Sequence, residues 1–311
     1  MQKVHNKGIF AALSSAVFLG LTPVFGKLAI NFGFSPLAVV AFRTSMAAFL
    51  ILMVIVLFYR SYLYIFPVGL MGCVLAGLIN GFGSILYYIA LNRLSASVGQ
   101  MLYSLYPFFV AIWLMLDGQS LSPLSFFRIG LATIAVLLLT AIPSHGADLI
   151  GTLLMLGAAA LYALHLPINQ RVLYEVPAPT VTLYTLLAMS AVVVPAYLLF
   201  DHQWPSANMP WWPVFGLTLV TLLSRLALFL GIKHIGGMQT ALLGLAELLI
   251  AIFFSHIWLH ENLLWIQWLG AIGLGISLLL VKFENPRPHY PSGKNGWFSW
   301  IRPPGIPQDF P

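Results

Sequence analysis

Charged side chains are scarce in this chain. Asp, Glu, Lys and Arg make up 7% of the 311 residues, whereas 60% are hydrophobic. A soluble domain carries about 25% charged residues, so the composition excludes an ordinary water-facing surface and predicts that lipid surrounds most of the chain. The only cysteine, Cys73, excludes an internal disulfide. The net charge of +6 lies largely in loops and tails, which indicates control of membrane topology and not nucleic-acid binding.

The motifs of soluble catalysis are missing too. The sequence has no Gly-rich Walker loop and no His-Glu-x-x-His motif. Four aspartates are too far apart along the chain to form a paired magnesium site: Asp117, Asp148, Asp201 and Asp309. We therefore expect no cofactor, no metal and no direct use of ATP, and we expect that the protein is not an enzyme.

Long apolar runs dominate the chain, and each is long enough to cross a bilayer, which takes about 20 helical residues. Backbone groups in lipid must be satisfied internally, so helices are the expected form. The first run is too long for the hydrophobic part of a signal peptide and favours an uncleaved helix. We predict an all-α integral membrane fold with ten transmembrane helices, at Gly8–Ile30, Pro36–Phe58, Phe66–Leu91, Leu94–Leu116, Leu124–Ile142, Leu149–Gln170, Pro179–Phe200, Pro210–Ile232, Met238–Leu259 and Leu263–Val281.

The basic residues predict the orientation of these helices. With the N-terminus inside, Arg93 is the only Lys or Arg of the outer loops, and the other loop and tail bases fall on the inner side. We therefore place the chain in the inner (plasma) membrane with both termini cytoplasmic: residues 1–7 form the N-terminus, and residues 285–311 form a Pro-rich tail. The tail is either disordered or an interfacial anchor.

The chain also repeats itself. The stretch Leu94–Gln119 matches Gly236–Glu261 in length and flanks, which divides the chain into five-helix repeats at residues 8–142 and 149–282. Because five is odd, the second repeat enters the membrane upside down, as in many secondary transporters with inverted repeats. Prolines inside the spans free backbone carbonyls and are candidate hinges: Pro23, Pro107 and Pro167.

Three features resemble one family. They are Leu105-Tyr106-Pro107 in the fourth run, Leu245-Ala246-Glu247 in the ninth, and Arg43 in the second. Together with the duplication they resemble the drug/metabolite transporter superfamily, in particular its EamA-type permeases with ten helices. The resemblance implies a permease that moves a small metabolite such as an amino acid or its analogue, outward, by alternating access. The chain departs from the family pattern at Leu248, His260, Gln119 and Arg128.

Ionisable residues inside the spans are the first site candidates, since a charge at the centre of a helix costs about 2.5–3.5 kcal/mol on insertion scales. Glu247 and Arg225 have similar depths, so they either form an ion pair that holds two helices or handle the solute and a proton. Arg43 either binds an anionic group or snorkels toward the outer headgroups. His165 is either a neutral packing residue or part of the site.

Asn80 and the interior tyrosines Tyr88 and Tyr103 complete the predicted site, because their polar atoms suit a small polar solute. The expected partners are that solute and the lipid bilayer, without nucleic acid, and transport is coupled either to a proton or simply to substrate exchange. The sequence leaves the coupling ion and the oligomeric state open. The alternatives are an integral-membrane enzyme and a structural or signalling membrane protein without transport.

Overall fold

The computed structural model describes residues 2–117, 122–140, 148–201, 204–206, 209–259 and 265–280. The predicted tail at residues 285–311 lies outside the described residues, as do Gln119, His260 and Glu261.

Within the described residues, all regular secondary structure is helical. One 3₁₀ turn, Arg60–Leu63, follows the second helix. The α-helices are α1 Gln2–Asn31, α2 Pro36–Phe58, α3 Pro67–Arg93, α4 Ala96–Tyr103, α5 Tyr106–Leu116, α6 Pro123–Thr140, α7 Leu149–Leu173, α8 Ala178–Phe200, α9 Trp212–Ile235, α10 Gly237–Gly244, α11 Ala246–Leu259 and α12 Trp265–Leu279.

Side-chain caps explain where three of these helices begin. Ser35 accepts from the N–H of Ala38 at the start of α2, at 3.1 Å. Ser95 does the same for α4, and Asp148 accepts from the N–H of Gly151 at the start of α7. Each cap satisfies an N–H that has no partner inside the helix. The hydrogen bond from the Gly151 N–H lowers the pKa of the Asp148 carboxyl most, and the nearby Arg93 lowers this pKa further.

Seven helical stretches in the described part of the chain are long and apolar enough to cross a membrane. They are Asn6–Asn31, Pro36–Phe58, Pro67–Arg93, Ala96–Leu116, Leu149–Leu173, Ala178–Phe200 and Trp212–Ile235. Three shorter apolar helices, Pro123–Ala135, Gly237–Ala251 and Trp268–Ser277, coincide with the fifth, ninth and tenth predicted runs. The protein is therefore a multi-pass membrane protein, and the count of ten remains a prediction.

Two of the predicted runs are not single helices. The fourth is interrupted between α4 and α5 at Ser104-Leu105, and the ninth between α10 and α11 at Leu245. Both interruptions carry an i→i−3 hydrogen bond: Phe108 N–H donates to Leu105 O at 3.0 Å, and Leu248 N–H to Leu245 O at 3.1 Å. Pro107 accounts for the first interruption, because it lacks an N–H and disfavours a helical residue before it.

The helix contacts are reciprocal between α1–α6 and α7–α12. Helix α1 packs along α9, and α7 packs along α3. In the same way, α1 contacts α11 as α7 contacts α5, and α2 contacts α9 as α8 contacts α3. The pairs α2–α8 and α6–α12 match themselves, and the interrupted helices meet as α4–α11 and α5–α10. These contacts bring α2, α3, α7 and α9 together around a buried group of polar side chains.

Candidate functional site

Arg43 extends from α2 into the interface between α3 and α9. Only 6% of the residue is exposed. Its Nη1 donates to Thr221 Oγ1 at 2.9 Å, and its Nη2 donates to Ser84 Oγ at 3.3 Å. The guanidinium also lies over the Tyr88 ring, 4.9 Å from its centre, where cation–π attraction favours it. The snorkelling alternative for Arg43 is therefore wrong, because the side chain points into the helix bundle.

Arg225 is the second buried arginine of this region and lies on α9, one helical turn after Thr221. It is 7% exposed, and its Nη1 donates to Nε2 of His165 at 3.0 Å. With the Asn80 amide oxygen turned toward it, that oxygen accepts from Nη2 at 2.5 Å and from Nη1 at 3.2 Å. The Tyr162 ring centre lies 5.8 Å from the guanidinium.

Helical spacing explains why these contacts form two adjacent layers. Asn80, Ser84 and Tyr88 are four residues apart on α3, and Thr221 and Arg225 are four apart on α9. Residues at this spacing share one face of a helix, about 5–6 Å apart. The first layer holds Arg43 against Ser84 and Thr221, and the second layer holds Arg225 against Asn80. We call these five residues the arginine ladder.

Neither arginine of the ladder has an acidic partner among the residues that the structure describes. The ion pairs found there lie elsewhere: Arg93 with Asp148 at 3.0 Å, and Arg171 with Asp117 at 2.5 Å. Buried charges in proteins are normally paired or bound to an ion. The ladder is thus a buried pair of cations held only by neutral groups.

The hydrogen bonds of His165 define its protonation state. Its Nδ1 contacts the carbonyl oxygen of Tyr162, which can only accept, so Nδ1 carries the proton. Its Nε2 faces the guanidinium of Arg225, which can only donate, so Nε2 is unprotonated. His165 is therefore a neutral imidazole that orients Arg225.

Glu247 lies in the first turn of α11 and is 1% exposed. The side chain of Gln100 on α4 lies beside its carboxyl, while Oε1 has no hydrogen-bond partner among the described residues. Gln100 also accepts from the Tyr87 hydroxyl at 3.4 Å. The predicted Arg225–Glu247 ion pair is not formed. Arg225 faces Asn80 of α3 and His165 of α7, whereas the Glu247 carboxyl lies beside Gln100 of α4.

Tyrosine rings connect the ladder with Glu247. The Tyr103 ring centre lies 5.0 Å from that of Tyr87 and 5.2 Å from that of Tyr162, and Tyr106 lies 5.0 Å from Tyr162. Glu247 is close enough to interact electrostatically with Tyr103, Tyr106 and Tyr162. Of the two predicted tyrosines, Tyr103 lies within this group of tyrosine rings, and Tyr88 lies over the Arg43 guanidinium.

Four buried polar atoms in this region lack a hydrogen-bond partner within the described residues. They are Arg43 Nε, the hydroxyls of Tyr88 and Tyr162, and Glu247 Oε1. Buried polar groups without partners are uncommon and call for an explanation such as an absent water or ligand. These four atoms are half of the eight such atoms in the described residues, and they lie in the same region as the unpaired arginines.

Several members of the site carried no signal in the sequence analysis. Gln100, Ser84 and Thr221 are small or neutral polar residues within apolar runs, and only their contacts distinguish them. Of the three predicted hinge prolines, Pro107 lies at an interruption, whereas Pro23 and Pro167 lie inside α1 and α7, which continue past them. Their role in motion remains a prediction.

The profile of one protein family, described as the EamA-like transporter family, matches this chain twice, at residues 6–141 and at residues 149–283. The two matches together cover most of the chain. The chain belongs to the EamA-like transporter family. This membership and the apolar helices identify the chain as a multi-pass membrane protein of a permease family. The resemblance to EamA-type permeases that the sequence analysis predicted is therefore confirmed for the family.

The EamA-family fold has a counterpart among solved structures. A chain described only as the crystal structure of a protein matches with a TM-score of 0.65 and 17% sequence identity. The match covers 86% of this chain and 96% of the other. At this identity the similarity concerns the fold alone. No curated protein sequence matches the chain.

Proposed function

We propose that this EamA-family chain is a secondary transporter that exports a small amino acid or analogue by alternating access. The arginine ladder binds the carboxylate of the solute, and Glu247 binds its ammonium group or a proton. The observation that carries the proposal is the presence of Arg43 and Arg225 as buried cations without acidic partners. Guanidinium groups suit carboxylates because their parallel N–H donors match the two oxygens.

The other members of the site fit this assignment. Asn80 and His165 hold Arg225, and Tyr88 covers Arg43, so the guanidinium groups are oriented before a solute arrives. Tyr103 lies between the ladder and Glu247 and interacts electrostatically with Arg225 and Glu247. Arg43, Arg225 and Glu247 are each at most 7% exposed, which supports an occluded state between the two open states of the proposed cycle.

The proposal includes ten membrane helices in two inverted repeats, residues 8–142 and 149–282. The reciprocal helix contacts support it. So do two contacts between the interrupted helices: Gln100 lies beside Glu247, and the Tyr106 hydroxyl donates to Ala241 O at 2.9 Å. Tyr106 and Glu247 are 141 positions apart, and so are Gln100 and Ala241. This is the offset between the starts of α4 and α10 and one less than that of the matching sequence stretches. With the offset of α4 and α10, the two contacts join equivalent positions in opposite order, which supports a two-fold axis between the repeats.

We place the protein in the inner membrane with both termini in the cytoplasm, from the distribution of basic residues. The single outer base, Arg93, pairs with Asp148, which starts the first helix of the second repeat. Outward transport is proposed from the family resemblance.

An uptake screen in proteoliposomes tests the function. Purified protein would be offered labelled amino acids, nucleosides and drugs, with and without a pH gradient. We expect accumulation or exchange of at least one amino acid, and no exchange in protein-free liposomes. Transport restricted to solutes without a carboxylate would contradict the proposal, and absence of any transport would favour the non-transporting alternatives.

A further inference from the structure

The net charge of the closed site restricts the kind of solute that it accommodates. Arg43 and Arg225 are each protonated at any physiological pH. His165 is neutral, because its Nε2 accepts from Arg225. The remaining facing groups are neutral amides, serine, threonine and tyrosine hydroxyls from α3, α4, α5, α7 and α9. Glu247 is the only described acid that interacts electrostatically with the tyrosines of this cluster. With Glu247 ionised, the site therefore carries one net positive charge.

A zwitterionic amino acid leaves that positive charge without compensation. A carboxylate at one arginine and an ammonium at Glu247 would balance those two pairs, while the second guanidinium would stay unpaired in a buried place. An uncompensated buried charge is strongly unfavourable. A solute with a second acid group removes this cost.

The spacing of the ladder suits two acid groups on one small solute. Ser84 and Asn80, the partners of Arg43 and Arg225 on α3, lie one helical turn apart, a spacing at which Cβ atoms are about 5–6 Å apart. Two adjacent arginine layers of this kind can each face one acid group of a short dicarboxylate. Arg43 Nε has no hydrogen-bond partner in the described residues, so the guanidinium of Arg43 has a donor available for an acceptor oxygen of the solute.

The third point of recognition is Glu247. Its Oε1 has no hydrogen-bond partner among the described residues, and the Gln100 side chain lies beside the same carboxyl. The tyrosine layer separates it from the ladder, and the Tyr162 hydroxyl, also unpartnered, lies in that layer. Two cations on one side and one anion on the other match a solute with two carboxylates and one ammonium group.

We infer that the solute of this permease is a small amino dicarboxylate with a net charge of −1, bound with one carboxylate at each ladder arginine and its ammonium at Glu247. The inference rests on the proposed function and narrows it, because most amino acids are excluded as preferred solutes. With Glu247 ionised, the loaded site is electrically neutral, whereas the empty site is not.

Equilibrium binding to the purified protein in nanodiscs tests the inference without any variant. Isothermal calorimetry would compare L-glutamate with L-glutamine, which lacks one carboxylate charge, and with glutarate, which lacks the ammonium. L-aspartate, L-asparagine and succinate form the shorter set. In at least one set we expect the amino dicarboxylate to bind about 10- to 100-fold more tightly than either analogue, the loss expected for one charge-assisted hydrogen bond.

Variants then assign each preference to a residue. Arg43→Gln and Arg225→Gln should each abolish the preference for glutamate over glutamine. Glu247→Gln should abolish the preference for glutamate over glutarate and keep the preference over glutamine. Arg93→Gln, a matched change at an exposed arginine outside the site, should leave all affinities unchanged. If Arg43→Gln fails to fold, Arg43→Lys keeps the charge but loses the guanidinium fork, so it should reduce the preference for glutamate over glutamine without abolishing it.

The outcomes separate the inference from the proposed function. If neutral amino acids bind as tightly as glutamate and aspartate, the inference is wrong and the permease function stands. If the dicarboxylate without ammonium binds most tightly in both sets, the role of Glu247 in the inference is wrong. If no amino acid of any charge binds or exchanges, both the inference and the proposed function are wrong.

Discussion

At the scale of single residues, the carboxyl groups of Glu247 and Asp117 are both buried, but they have opposite surroundings. Both residues are 1% exposed. Asp117 accepts from Arg171 at 2.5 Å, in an ion pair that joins the end of α5 to the last turn of α7. Glu247 has no cation beside it among the described residues. The same chemical change should therefore have different effects at the two positions.

We predict that Glu247→Gln keeps the thermal stability of the protein at or above the wild-type value, because it removes a buried charge and breaks no ion pair. Asp117→Asn should lower the free energy of unfolding by about 3–5 kcal/mol, because Arg171 is left buried without its counter-ion. Thermal unfolding in detergent, followed by tryptophan fluorescence, compares the two. An equal loss of stability in both variants would contradict this account of Glu247.

The sequence could identify four of the charged or ionisable site residues, since such groups are rare inside membrane helices. It could not identify their partners. Residue counting gives the depth of Arg225 and Glu247 but not the direction in which each side chain points, so it suggested an ion pair that does not form. Gln100 was missed because a neutral amide in an apolar run costs less than a charge and stands out less.

At the scale of helices, the interruptions in the fourth and ninth runs bring Tyr106 against Gly244. The Tyr106 hydroxyl donates to Ala241 O at 2.9 Å, and a Cβ on Gly244 would overlap that hydroxyl oxygen. The absence of a side chain at Gly244 therefore allows α5 and α10 to approach. A Cβ on Gly130 in α6, by contrast, would meet nothing within 4 Å.

Gly244→Ala should therefore destabilise the protein by about 1–3 kcal/mol, the usual cost of overpacking. Adding Tyr106→Phe removes the overlapping oxygen and should recover much of that loss. Gly130→Ala is the matched control and should leave the stability unchanged or slightly higher, since alanine favours a helix more than glycine does. Thermal unfolding of the four proteins measures this, and a double variant less stable than Gly244→Ala would refute the contact.

Helix positions were largely predictable, because long apolar runs between Pro, Gly and polar residues have few alternatives in lipid. The interruptions inside the fourth and ninth runs were less predictable. Pro107 indicated one of them, but the ninth run contains no proline, and its interruption at Leu245 comes directly after Gly244, where α10 contacts α5 and α11 contacts α4. Pro23 and Pro167 show the converse, since α1 and α7 continue past them.

At the scale of the whole molecule, the main prediction is that the two halves are inverted relative to each other in the membrane. The match of Leu94–Gln119 with Gly236–Glu261 indicated a duplication, and the family profile also matches twice. The inverted arrangement depends on an odd number of spans in each half. Sequence reasoning supplies that number only by counting runs, and the described helices include three that are shorter than a full span.

Reporter fusions test the inverted arrangement. A reporter joined after Gly146, between the proposed repeats, should lie outside the cytoplasm, and one joined after Asn285 should lie inside. An alkaline phosphatase and a fluorescent protein at each site give opposite signals for the two locations. Reporters that fall on the same side of the membrane would exclude two inverted five-helix repeats.

The central claim is that the arginine ladder binds the transported solute. The most direct measurement is the rate of amino-acid exchange in proteoliposomes that contain wild type, Arg43→Gln, Arg225→Gln or the control Arg93→Gln, each first shown to be folded. Loss of a charge-assisted contact predicts a decrease of about tenfold or more at low solute concentration for both ladder variants, with wild-type exchange by Arg93→Gln. Wild-type exchange by either folded ladder variant would contradict the claim.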